Sequence, residues 1–397
     1  MDWSYSALAR IVADQPLPAM IVDLSRFDAN VRRVASRLAE RGKALRIATK
    51  SLRVPALIER AASLADSRRL MCFALDEACF LAEEGFDDLL VAYPIVQSAE
   101  LARARELTER GVRLTLMVDS IDHLDRIDAT GGEGWRVCVD VDVSYRIAGR
   151  HLGAQRSPLR TLAAVQQLIG AIERRPALQL VGVMGYEAHI AGFPEQNPFS
   201  AWLNPVKQRL KRRFVEQTRA KRDAIGAWLA SRGIELEFFN GGGSGSLDST
   251  SIERAVDEVT VGSGFLQSHL FDYYAQNRSE PAFAFALAVT RRPEERFVTC
   301  QSGGFIASGE IGPDKAPLPI APDGVSPTKG EGFGEVQTPL EIRRGSEAER
   351  LRLGDPVFFR PAKAGEIAER FSHYLLVDGE SIVNRVPTYR GLGKSFF

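Results

Sequence analysis

The stretch AMIVDLSRFDANVRRVASRLAERGKALRIATK (19–50) decides the fold class. A short β-rich run, AMIVD (19–23), is followed by FDANVRRVASRLAERG, which sets apolar residues at helical spacing and ends on a glycine; a second β-rich run, LRIATK (45–50), comes next. Period-2 or wholly apolar runs alternating with 3.6-period segments are the signature of strands joined by crossover helices. Working outward, the unit recurs. Further strand candidates are LMCFA (70–74), DLLVAY (88–93), RLTLMV (113–118), RVCVDVD (136–142), LVGVMGY (180–186) and LEFFNGG (236–242). Between them VPALIERAASLA, SAELARARELTERG and LRTLAAVQQLIGAIERR read as helices. Several strands are apolar throughout, as strands buried on both faces must be. Roughly eight units between Pro18 and Gly264 predict a (β/α)8 barrel of TIM type. A doubly wound sheet competes, but no GxGxxG opens a helix after an early strand.

Beyond about residue 280 the texture changes to β-type runs (FAFALAVT, ERFVTC, DPVFFRP, HYLLVDG, SIVNRVP) with loops rich in glycine and proline. The expected organisation is a barrel domain over 1–278, with a helical insertion near 193–220, and a β domain over 279–397 that the N-terminal segment can join. A chain of 397 residues accommodates both.

Composition narrows the function. Hydrophobic residues make up 45% and charged residues 26%, as in ordinary globular proteins. The 51 Lys and Arg balance 51 Asp and Glu, so no global field draws the chain to nucleic acid or an anionic membrane. A small-molecule substrate is expected. Cys72, Cys79, Cys138 and Cys300 form no CxxC pair and read as reduced core thiols, not zinc ligands. The first residues, MDWSYSALARIVADQ, lack the apolar core of a signal peptide, and no run approaches the length of a membrane span. A cytoplasmic location is therefore expected. From Lys207 to Arg222 eight basic residues face one acid, Glu216. The solvated face of an amphipathic helix explains them better than a nucleic-acid patch; Trp202 and the prolines before this helix could form a lid.

Four segments carry chemistry. Lys50 closes an apolar strand, where a barrel presents its catalytic rim. The loop FNGGGSGSLDST, with Gly242, Gly243, Ser244 and Gly245 directly after a strand, lets successive N–H groups converge on an anion and suits a phosphate dianion. A second glycine turn, Gly262, Ser263 and Gly264, can complete the cradle. In VGVMGYEAHIAG (181–192), Tyr186, Glu187 and His189 follow a strand; His189 is a candidate acid or base, or one member of a hydrogen-bonded rim cluster. In VDVDVSYRIAG (139–149), Arg146 can donate up to five hydrogen bonds, to a ligand or in an ion pair with Asp140 or Asp142.

At these four segments the chain resembles the pyridoxal-phosphate enzymes of fold type III, whose barrel is the alanine racemase N-terminal type. It is most similar to the group containing D-threonine aldolase and D-serine dehydratase. The resemblance implies that Lys50, in RIATKSLRVP, is the Schiff-base lysine for pyridoxal 5′-phosphate, that Arg146 and Tyr186 lie near the cofactor, that His189 sits at the site edge, and that GGGSGS and VGSG hold the phosphate. It also implies a homodimer. The chain departs from the group in two places. The histidine usual two residues before the lysine is Ala48, and the segment that carries the group's metal ligands reads RPAKAGEIAERF, with Lys363 and Gly365 in the ligand positions. Neither an ammonium nor a glycine holds a divalent ion, so no family-type metal is expected. Lys363 could instead grip a substrate oxygen or carboxylate, with Glu366 orienting it or exchanging protons, unless Lys363 is simply an exposed loop residue.

The activity so implied is a lyase cleaving Cα–Cβ of a β-hydroxy amino acid of D configuration, with His189 as base. The alternatives are a dehydratase with Cα deprotonation by Lys50, a racemase, and a non-catalytic carrier of the cofactor.

Overall fold

The computed structural model describes residues 1–147, 149–276, 279–310 and 312–396. Eight strands close into a barrel: Ala44–Ala48, Arg69–Cys72, Asp88–Val91, Arg113–Val118, Trp135–Asp140, Leu178–Met184, Phe238–Gly241 and Glu258–Val261. Every neighbouring pair is parallel, including the closing pair Glu258–Val261 with Ala44–Ala48. The expected barrel is thus present. Its interior packs Leu90, Met117, Cys138, Val181, Met184 and Phe238. Gly182 makes room there, since a Cβ on it would lie 2.2 Å from the Phe238 ring.

One strand assignment needs correction. AMIVD (19–23) does not enter the barrel: it pairs antiparallel with Phe283–Glu294 and parallel with His373–Asp378 in a second, nine-stranded sheet. The strand that closes the barrel is instead Glu258–Val261, four buried residues beginning with a glutamate. Glu258 is sheltered by Arg46, whose Nε donates to its Oε1 at 2.7 Å. All five residues of Ala19–Asp23 are buried, so the run suits the centre of either sheet. The boundary expected at 278 falls outside the described residues.

The basic segment lies on the 28-residue helix Asn204–Ser231. It is not uniformly a solvated face. Arg222 is fully buried between Glu187 and Glu253, and Lys221 donates to the Ser144 carbonyl at 2.9 Å. Before the helix, Trp202 is 82% exposed. Cys72, Cys138 and Cys300 are buried free thiols and Cys79 is partly buried. Among the described residues no helix is long and apolar enough to cross a membrane.

Candidate active site

The strand Ala44–Ala48 runs into a single tight turn, Thr49–Ser51, which places Lys50 at the C-terminal mouth of the barrel. Its side chain enters a cavity of about 170 Å³. Tyr186, Gly242 to Gly245, Gly262, Ser263 and Arg156 reach the same cavity. Burial, then the charges of Arg156, Lys363 and Arg53, lower the Lys50 pKa, which enlarges the fraction of free amine near neutrality. Burial pushes the Tyr186 phenol up to about 12, so it stays protonated.

The two glycine turns interlock around Lys50. A Cβ on Gly262 would lie 2.6 Å from the Ala48 carbonyl, and the hydroxyls of Ser51 and Ser263 are 2.9 Å apart. On the other turn, a Cβ on Gly245 would lie 2.2 Å from the Ala191 carbonyl. Only glycine fits these approaches. The N–H groups of Gly243, Ser244 and Gly245 donate to no protein group among the described residues. Uncommitted N–H donors in a glycine cradle, facing a lysine amine across a small cavity, fit a phosphorylated aldehyde such as pyridoxal 5′-phosphate.

Several predicted positions fall elsewhere. Gly242 lines the cavity, but its N–H turns away and donates to Glu187 Oε2 at 3.1 Å. Gly264 lies behind the second turn, its N–H donating to Ser244 Oγ at 2.8 Å. Arg146 is exposed on a hairpin of Tyr145–Ile147 and Arg150–Leu152, which carries it away from the strand end. Arg156 occupies the place expected of it. Its guanidinium lies 5.3 Å from the Tyr186 ring centroid and 3.7 Å from Asp140. Asp142 pairs with Arg160 at 3.3 Å. His189 is also outside the cavity: it sits in the short helix Ala188–Ala191, edge-on to Phe214, with Nε2 3.2 Å from Thr218 Oγ1. Burial pushes its pKa down to about 4, so it is a neutral packing group and not a rim base.

Sequence reasoning missed Arg156, and named Asp140 only as an ion-pair partner for Arg146. Burial pushes Asp140 up to about 7 despite Arg156, the range that suits proton exchange near neutrality. Its strand-end position was visible; its desolvation was not.

Lys363 Nζ donates to the Ser308 carbonyl at 2.8 Å and pairs with Glu366 at 3.2 Å. Burial opposes the Glu366 charge, but the Ser308 N–H and the Lys363 ammonium outweigh it and hold the carboxyl below its usual range. Gly365 packs directly on Lys50, where a Cβ would fall 1.8 Å from the lysine's carbonyl oxygen. This donor set does not fit a divalent cation, and among the described residues no group of three His, Cys, Asp or Glu could hold one.

Residues 22–266 match the family of the alanine racemase N-terminal domain, and the chain belongs to that family. Its architecture is that of the fold-type III pyridoxal-phosphate enzymes. The chain is 25% identical over 249 residues to the 3-hydroxy-D-aspartate aldolase of Paracoccus denitrificans, a match covering 62% of this chain and 59% of that protein. It is 31% identical over 146 residues to the D-threo-3-hydroxyaspartate dehydratase of Delftia sp. (strain HT23), covering 36% of this chain and 37% of the relative. The crystal structure of D-threonine aldolase from Filomicrobium marinum superposes with a TM-score of 0.81 at 20% identity, covering 96% of each chain.

Proposed function

We propose that the chain is a pyridoxal 5′-phosphate-dependent lyase, acting as a homodimer, that cleaves the Cα–Cβ bond of a D-configured β-hydroxy amino acid to glycine or a related amino acid and an aldehyde. The observation that carries this reading is the lysine of lowered pKa facing uncommitted loop N–H groups across one cavity. The relatives named for D-3-hydroxy amino acids support the substrate class.

When bound, the cofactor supplies an electron sink beside the substrate's Cα. The protein's own residues do the rest. The Lys50 amine would hold the cofactor's aldehyde carbon, and the Gly243 to Gly245 turn with Ser263 would receive the phosphate. Arg156, tethered by Asp140, offers a guanidinium to an anionic group in the cavity. As the Cα–Cβ bond breaks, the β-hydroxyl must lose its proton, and His189, outside the cavity and bonded to Thr218, is not placed to accept it. Lys363, oriented by Ser308 and Glu366, adds a positive charge that acts on Lys50, and in this reading its ammonium grips the substrate's β-oxygen or a carboxylate.

A dehydratase is the second reading, favoured by the free-amine fraction of Lys50, which suits removal of the Cα proton. Products decide between them. Purified protein given pyridoxal phosphate is expected to show a visible absorption band that Lys50→Ala loses; a wild type without the band would overturn the assignment. With D-3-hydroxy amino acids, aldehyde plus glycine is the expected outcome. A 2-oxo acid and ammonia as sole products would establish the dehydratase instead.

A further inference from the structure

Glu187 follows the cavity residue Tyr186 but faces the other way. It is wholly buried behind the glycine turn, and four donors reach its carboxylate. Its oxygens accept from Ser246 Oγ at 2.7 Å, Thr250 Oγ1 at 2.5 Å and Gly242 N at 3.1 Å, and from the guanidinium of Arg222. Three of these donors belong to the segment Gly242 to Thr250; the fourth comes from the helix Asn204–Ser231. Arg222 also donates to Glu253 at 2.8 Å.

Burial works against an ionised Glu187, but Arg222 and the hydrogen bonds outweigh it and keep the carboxyl below its usual range. A carboxylate directly behind an anion-receiving turn would repel a phosphate, and the guanidinium of Arg222, shared with Glu253, offsets that charge. The Gly242 N–H is drawn back to Glu187 in a backbone conformation of φ +93° that favours glycine. The three N–H groups that follow are left for a ligand. The same segment packs Ala191 against the turn, where a Cβ on Gly243 would lie 3.1 Å from the Ala191 Cβ.

We infer that Glu187, paired with Arg222, is a positioning residue: it templates the Gly242 to Thr250 turn so that its free N–H groups converge on the phosphate, and ties that turn to Tyr186. The inference rests on the pyridoxal-phosphate reading above. It predicts an effect confined to the phosphate end of the ligand.

The experiment titrates full-length wild type, Glu187→Gln and, as milder variants that remove one donor each, Ser246→Ala and Thr250→Val, with pyridoxal 5′-phosphate and with pyridoxal, following the visible spectrum and protein fluorescence. Gln keeps the shape of Glu but cannot accept from all four donors. We expect Glu187→Gln to weaken pyridoxal phosphate binding about tenfold or more while pyridoxal binding stays within about twofold, with smaller losses in the same direction for the two donor variants. Inorganic phosphate should compete with pyridoxal phosphate on the wild type more strongly than on the variants. Unchanged phosphate-ester binding in the folded variants, or an equal loss for both ligands, overturns the inference and leaves the cofactor reading standing. If Glu187→Gln does not fold, the donor variants decide on the same criterion. A wild type that binds neither ligand overturns both.

Discussion

Two arginines ten positions apart show what a residue's role depends on. Arg146 was legible as the arginine of its segment, yet the hairpin after Trp135–Asp140 turns it to solvent and brings Arg156 back over Tyr186. Arg156→Ala is expected to lower kcat/KM by about a hundredfold, the scale of a lost charge-assisted contact in a desolvated site, whereas Arg146→Ala should stay within about twofold. Steady-state kinetics on the substrate that gives aldehyde settles it; equal losses would reinstate Arg146. Lys50 was legible only in context: a barrel strand ends at the rim, and the glycine loops and the family resemblance singled it out from ordinary surface lysines. His189 was not, because one short helical turn rotates it towards Phe214 and Thr218. His189→Gln should therefore cost less than about tenfold in kcat, well below the loss of a general base.

Among elements, the glycine turn was readable as an anion cradle because consecutive glycines directly after an apolar strand have few other uses. The direction of each N–H was not readable, since it depends on Glu187, brought in from 55 residues away in sequence. The five-residue run Ala19–Asp23 was misplaced for a similar reason: a strand buried along its whole length carries no mark of which sheet it will join, and only its pairing with Phe283–Glu294 and His373–Asp378 decides. The tightness of the cradle is open to test through Gly245→Ala. Its new methyl would meet the Ala191 carbonyl at 2.2 Å and the Tyr274 ring at 2.6 Å, so backbone must shift. A loss of about 1 to 3 kcal/mol in urea denaturation is expected, together with weaker pyridoxal phosphate binding. Wild-type values for both would show that the turn has room to spare.

Across the whole molecule, the C-terminal region seats the site and does so through buried ionisable groups. Gly365 rests on the Lys50 carbonyl, and the Tyr389 hydroxyl donates to Glu77 Oε1 at 2.9 Å, while the Phe73 N–H donates to the other oxygen of the same carboxyl at 2.8 Å. Burial pushes Glu77 from 4.5 up to about 7. The folded chain holds that proton more tightly than the unfolded one, so the stability linked to Glu77 is full below pH 4.5 and is lost as pH rises through about 7. His189 runs the other way. Burial lowers it from 6.5 to about 4, so its share of stability is present above pH 6.5 and is lost as pH falls towards 4. Between pH 4.5 and 6.5 the two slopes oppose each other, and removing either should expose the other. Urea midpoints of Glu77→Gln are expected to rise with pH across that window relative to wild type, and those of His189→Gln to fall. Variants that both track the wild-type curve would mean that neither group changes its proton affinity on folding. Opposite slopes would locate one titration at the tie between Tyr389 and the barrel and the other behind the cavity wall, showing that assembly of the C-terminal region onto the barrel and packing around the site respond separately to pH.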